Sequence, residues 1–184
     1  MRSIRSCAIC GLAIVLTLTF ARAQQPAIAD DEAKSTRVKA GDKAPDFTCK
    51  PINGEEFSLG KQKGTVVLVN FFATWCGPCL EELPHLEKEF LKKYADRKDF
   101  KLIVIGREHS AEELEKFVKE KKLSVPMAPD PKREIYGKYA EKYIPRNFIV
   151  GKDGKIKLAS VGYTETSFQE IVRTIEKELK PSGD

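Results

Sequence analysis

Residues 65–72 (Thr-Val-Val-Leu-Val-Asn-Phe-Phe) form a nearly continuous β-branched and aromatic run, the pattern of a central strand covered on both faces. A helix is predicted over 76–94, because Leu83, Leu86, Phe90 and Tyr94 recur at spacings of three and four and make one apolar stripe. Pro84 interrupts that stripe and should kink the helix. Residues 101–105 read as a second core strand and 111–121 as a helix carrying Leu114, Phe117 and Val118. Residues 126–131 read as a loop or short edge segment, followed by a helix over 132–139. Strands at 147–150 and 155–160 flank Asp153-Gly154, a tight-turn dipeptide, and Phe168, Ile171, Val172, Ile175 and Leu179 mark the buried face of a last helix. Ahead of all these, segments 46–49 and 56–59 flank Asn53-Gly54, a hairpin signal. Alternating β and α elements closed by an antiparallel hairpin predict an α/β fold with a mixed sheet and helices on both faces.

The first forty residues follow another pattern. Arg2 and Arg5 precede an apolar run over 7–20 that ends at Ala21-Arg22-Ala23, which reads as a secretory signal peptide over 1–23. The run is too short to span a bilayer comfortably, although an uncleaved copy would tether the protein to the membrane. Residues 24–40 are polar without apolar period and read as a flexible leader, so the domain is assigned to 41–181. Of the formal charge of +5, three positive charges (Arg2, Arg5, Arg22) lie in the signal. The remaining Lys and Glu interleave as on solvated helix faces, which argues against nucleic-acid binding. The export signal places the protein in the periplasm or another extracytoplasmic space.

Of five cysteines, Cys7 and Cys10 lie in the signal, leaving Cys49, Cys76 and Cys79. So few cysteines do not staple an exported fold. Cys76 and Cys79 instead form a C-x-x-C between the predicted strand and helix, where unpaired N–H groups and the positive helix terminus stabilise a thiolate. Cys76 is the expected attacking thiolate, Cys79 the resolving thiol one turn along, and Pro78 suits the first helical turn. Zinc needs four ligands, and beyond this pair and Cys49 the mature chain offers only His85 and His109, both read as surface residues, so no metal and no other cofactor is expected. Cys49 reads as a buried strand cysteine acting as a small hydrophobe, and Met127, Tyr136, Tyr139 and Tyr143 as core and loop packing.

Trp75-Cys76-Gly77-Pro78-Cys79 resembles the thioredoxin active site. The wider pattern is similar to the exported TlpA/ResA-like branch of the redoxin superfamily: Gly41-Asp42-Lys43-Ala44-Pro45-Asp46-Phe47 resembles its opening segment, Cys79-Leu80-Glu81-Glu82-Leu83-Pro84 its extended helix motif, and Ile144-Pro145 stands in the place of its cis-proline. The resemblance covers about residues 39–180 and implies a thioredoxin fold with an N-terminal β-hairpin extension. It implies a thiol–disulfide oxidoreductase that acts on thiols and disulfides of exported proteins as a reductant and draws electrons from a membrane thiol donor. Apocytochrome thiols are among the substrates of such proteins, and a monomer is expected. By the same resemblance Glu82 is a buried proton relay for Cys79, while Trp75, Gly77, Pro78, Ile144 and Pro145 contact the substrate. Glu81 is left to the surface. Arg146 stands where the family has threonine, which puts a charge beside the docking groove.

Two other functions fit the motif less well. A peroxidase of peroxiredoxin type resembles P-x-x-x-T-x-x-C at its attacking cysteine, but Val69 and Ala73 stand seven and three residues before Cys76. A copper-binding dithiol module resembles C-x-x-x-C with a distant histidine, one residue longer than the spacing here.

Overall fold

The computed structural model describes residues 25–181. The signal peptide lies outside the described residues. Among those residues, no helix is long and apolar enough to cross a membrane. Helix α1 (Gln25–Lys34) belongs to a separate unit that ends at Lys34. The domain begins at Ser35, ahead of the Gly41 start expected from the sequence. Within the stretch read as a leader, Thr36 bridges Ala140, the Arg37 N–H donates to the Tyr139 carbonyl at 2.9 Å, and Ser35 is buried. Apolar periodicity does not register such a segment, because main-chain and hydroxyl groups hold it.

The central sheet has the order β5-β4-β3-β6-β7, built from β3 (Val66–Phe72), β4 (Phe100–Arg107), β5 (Met127–Asp130), β6 (Arg146–Val150) and β7 (Ile156–Val161). β3, β4 and β5 are parallel, β6 runs antiparallel to β3, and β7 antiparallel to β6. Every residue of β3 is buried, as its nearly continuous apolar run requires. The edge segment is thus a true strand, with Met127 opposite Val104. The N-terminal hairpin forms a separate two-stranded sheet of β1 (Thr48–Cys49) and β2 (Phe57–Ser58).

Helix α2 (Gly77–Leu86) connects β3 to β4, and α3 (Ala111–Lys121) connects β4 to β5. Both crossovers advance in the same direction across the sheet, so right-handed connections put both helices on one face. Leu83 and Leu86 of α2 accordingly share a core with Leu114 and Phe117 of α3, and with Phe168, Ile171 and Ile175 of α5 (Glu165–Leu179). The second core lies on the opposite face, where α4 (Tyr136–Tyr139), Phe47, Cys49 and Leu59 cover Val67, Val69, Phe71 and Phe148. Strand alternation divides the residues: Val66, Leu68 and Phe72 face the first core, Val67, Val69 and Phe71 the second. The helix expected over 76–94 keeps α-helical geometry through Pro84 to Leu86, then widens into a π-helical turn, Glu87–Lys92, that still buries Phe90.

Candidate active site

β3 ends at Phe72, and a turn over 73–76 leads into α2, closed by the Cys76 N–H donating to the Ala73 carbonyl at 3.1 Å. Cys76 is extended (φ −89°, ψ 107°) and caps α2: its Sγ accepts the Cys79 N–H at 3.3 Å. A helix N-terminus leaves such N–H groups without internal partners, and here one of them is directed at sulfur. Cys76 and Cys79 are joined by a disulfide, with their Cα atoms 5.3 Å apart. Cys79 is sealed at 1 % exposure and Cys76 shows 6 %.

The surface around this pair is open. Gly77 and Pro78 are exposed, and Trp75 and Tyr143 are the exposed large hydrophobics among the described residues. Trp75 is 63 % exposed, with the Arg107 guanidinium 5.6 Å from its ring centroid. On the other side the Ile144 carbonyl oxygen stands 3.7 Å from Cys76 Sγ, and the Ile144–Pro145 peptide bond is cis. Tyr143 is the loop member of the three tyrosines: it adopts φ +67° and its carbonyl accepts the Tyr136 hydroxyl at 2.7 Å, which holds the approach to Ile144 in place.

Beneath the pair, Glu82 lies three residues beyond Cys79 on the same face of α2, 1 % exposed. Its two carboxylate oxygens accept from two amides, Asn70 Nδ2 at 2.9 Å and Asn147 Nδ2 at 2.6 Å, and Asn70 Nδ2 also donates to Asn147 Oδ1 at 2.9 Å. Asn70 and Asn147 are paired across β3 and β6, so their side chains emerge on one face. Burial pushes the Glu82 carboxyl up to about 7, against the opposing pull of Asn147 and Asn70. A group balanced near neutrality can both take and release a proton. Asn70 is the polar interruption in the apolar run of β3, a signal legible in the sequence; Asn147 had none, because its place depends on strand register.

Two residues stand elsewhere than expected. Arg146 does not reach the groove: it is fully buried on the second-core side, donating from Nε to the Lys142 carbonyl at 2.9 Å, from Nη1 to Thr36 Oγ1 at 2.6 Å and from Nη2 to Ser35 Oγ at 2.6 Å. As the immediate neighbour of Asn147 on a strand, it must point the opposite way. His109 is buried at 5 % exposure rather than on the surface, because Thr74 N–H donates to its Nε2 and Phe72 lies against its ring. His85 is exposed, with its ring near Tyr163 and Phe168. Cys49 is a free thiol in the second core, raised to about 12 by burial and by Asp130, and so stays neutral.

A family profile described as the AhpC/TSA family matches residues 40–159. A thiol–disulfide oxidoreductase ResA of Bacillus cereus is 32 % identical over 130 residues, 71 % of this chain and 74 % of that protein. The thioredoxin-like protein YneN of Bacillus subtilis is 37 % identical over 134 residues, 70 % of this chain and 75 % of that one. Among solved structures, a candidate protein disulfide isomerase from Bacteroides thetaiotaomicron superposes with a TM-score of 0.75 at 36 % identity, covering 80 % of this chain and 94 % of its own. StoA from Bacillus subtilis gives a TM-score of 0.60 at 26 % identity, covering 72 % and 99 %. The mixed sheet and its helices are therefore a thioredoxin fold, and the chain belongs to the AhpC/TSA family and to the thiol–disulfide oxidoreductases of ResA type.

Proposed function

We propose that the protein is exported and reduces disulfides of other exported proteins through Cys76 and Cys79. In the reduced enzyme the Cys76 thiolate attacks one sulfur of a substrate disulfide; the substrate's S–S bond breaks, its second sulfur leaves as thiolate, and a Cys76–substrate mixed disulfide forms. Cys79 then passes its proton to Glu82 and attacks Cys76 Sγ, which closes the Cys76–Cys79 disulfide and releases the substrate dithiol. Two electrons have moved to the substrate, and a membrane dithiol donor restores the enzyme.

The observation that carries this reading is the disulfide at the start of α2, with Cys76 Sγ facing the Cys79 N–H and a buried carboxyl one turn further on. Trp75, Gly77 and Pro78 on one side and Ile144 and Pro145 on the other form the substrate groove. The peroxidase alternative gains no support from the residues before Cys76, since Val69 and Ala73 lack the proline and the hydroxyl it requires.

The test is an equilibrium titration of the cysteine pair in dithiol/disulfide buffers, paired with reduction of a protein disulfide. A reversible two-electron transition towards the thioredoxin end of the range, about −270 mV, is expected, with Cys76→Ser inactive. A potential near about −120 mV would recast the protein as an oxidant, and an active Cys76→Ser variant would sink the mechanism.

A further inference from the structure

His109 is a buried titratable side chain that the exchange steps above leave without a part. It sits in the turn between β4 and α3, its own N–H donating to the Gly106 carbonyl at 3.2 Å. A Cβ at Gly106, near the end of β4, would stand 2.8 Å from Leu114 Cδ2, so the Leu114 side chain of α3 packs closely on this end of the strand. The ring faces the redox turn: Nε2 accepts the Thr74 N–H at 3.0 Å. That nitrogen must then hold a lone pair, and a neutral imidazole carries its proton on Nδ1. Nδ1 is buried without a hydrogen-bond partner among the described residues.

Thr74 is the second residue of the 73–76 turn, which the Cys76 N–H closes onto Ala73. His109 thus supplies the anchor for this turn from a separate part of the chain, two residues before the attacking cysteine. We infer that His109 is a positioning residue for Cys76: its neutral ring holds the redox turn through the Thr74 amide, and protonation of Nε2 sets a donor against a donor and releases the turn. The groups facing the ring are Phe72 from β3, the Thr74 amide from the redox turn, and Glu113 from α3, whose Oε2 lies 3.8 Å from Nδ1. Glu113 is the titratable member, and the Ser110 N–H and hydroxyl hold its carboxyl below the usual carboxylate range.

The consequence for exchange rests on the reading that Cys76 attacks, whereas the anchor itself does not. Nitrogen-15 spectra of the full chain in its disulfide form, where neither Cys76 nor Cys79 titrates, test the anchor alone. The expected result is an Nδ1–H tautomer and a Thr74 amide protected from solvent exchange, with protection lost as His109 protonates. A proton on Nε2 at neutral pH, or a Thr74 amide indifferent to the His109 titration, would overturn the inference.

The second arm follows the rate of protein-disulfide reduction from about pH 5 to about pH 8 in wild type, His109→Gln and His109→Leu. A glutamine oxygen can accept the Thr74 amide but cannot be protonated in this range. His109→Gln should stay within about twofold of wild type at the alkaline end and lose the part of the acid decline due to His109. His109→Leu, which lacks the acceptor, should be about three- to tenfold slower at the alkaline end, the worth of one hydrogen bond. Equal acid declines in wild type and His109→Gln would overturn the inference, and should His109→Leu fail to fold, that comparison decides alone. A wild type without exchange activity would sink the exchange reading and leave the spectroscopic arm to decide the anchor.

Discussion

Arg146 and Asn147 are neighbours on β6, both sealed from solvent and both polar, yet they serve opposite sides of the sheet. Arg146 meets the hydroxyls of Ser35 and Thr36 and the Lys142 carbonyl, and so fastens the start of the domain to the strand. Asn147 meets Glu82 and Asn70 beneath the cysteine pair. The first environment matches a cation with acceptors. The second leaves the carboxyl only partly compensated, so that burial still holds its proton affinity high. Two polar residues of equal burial therefore differ in kind: one stabilises the fold, and the other tunes a proton.

The largest expected effect lies on the Arg146 side. Arg146→Met removes the buried guanidinium and its hydrogen bonds to Ser35, Thr36 and the Lys142 carbonyl, and should cost about 3 kcal/mol in urea denaturation while leaving the pH profile of exchange unchanged. A shifted profile would break the division between the two sides of the sheet.

Glu82→Gln should act in the opposite sense on both readouts. The folded carboxyl binds its proton more tightly (about 7) than an unperturbed glutamate (4.5), so folding takes up a proton between those values. Stability therefore falls as pH rises through that window and stays lower above it. The glutamine variant has no charge to bury; near pH 8 it should exceed wild type by up to about 3 kcal/mol, with little difference near pH 4. Its exchange rate should drop by about 10- to 100-fold through loss of the proton relay. A variant with lower stability at both pH values would show that the amides hold the anion better than burial opposes it.

Smaller still, Asn147→Leu removes the 2.6 Å donor to Glu82 and should move the Glu82 limb of the pH profile alkaline by about one unit. The least effect belongs to Cys49→Ala on the second-core side, about 1 kcal/mol of stability and no change in the redox titration.

Much of this is legible in the sequence. The nearly continuous apolar run of β3, the stripes of α2, α3 and α5, and the C-x-x-C between strand and helix are all local patterns, and each stands where its period placed it. Two turn signals fared differently. Asp153-Gly154 forms the tight turn its type demands, with Gly154 at φ +74°. The hairpin at Asn53-Gly54 forms too, but Asn53 spends its side chain on β5 and the segment before it, donating to the Val125 carbonyl at 2.9 Å and accepting the Met127 N–H at 3.2 Å. There a tertiary contact took over the residue whose local chemistry marked the hairpin.

By itself, then, the sequence determined the order of the elements, the position of the cysteine pair at the head of a helix and the place of Glu82 one turn beyond Cys79, because helical and strand periods act over a few residues. Tertiary structure alone decided that Asn147 meets Glu82 while Arg146 turns away, that Ser35 and Thr36 belong to the domain, and that His109 reaches the Thr74 amide. Each of these depends on which strands pair, in what register, and on which face of the sheet a helix packs. No period along the chain encodes contacts between residues so far apart in sequence.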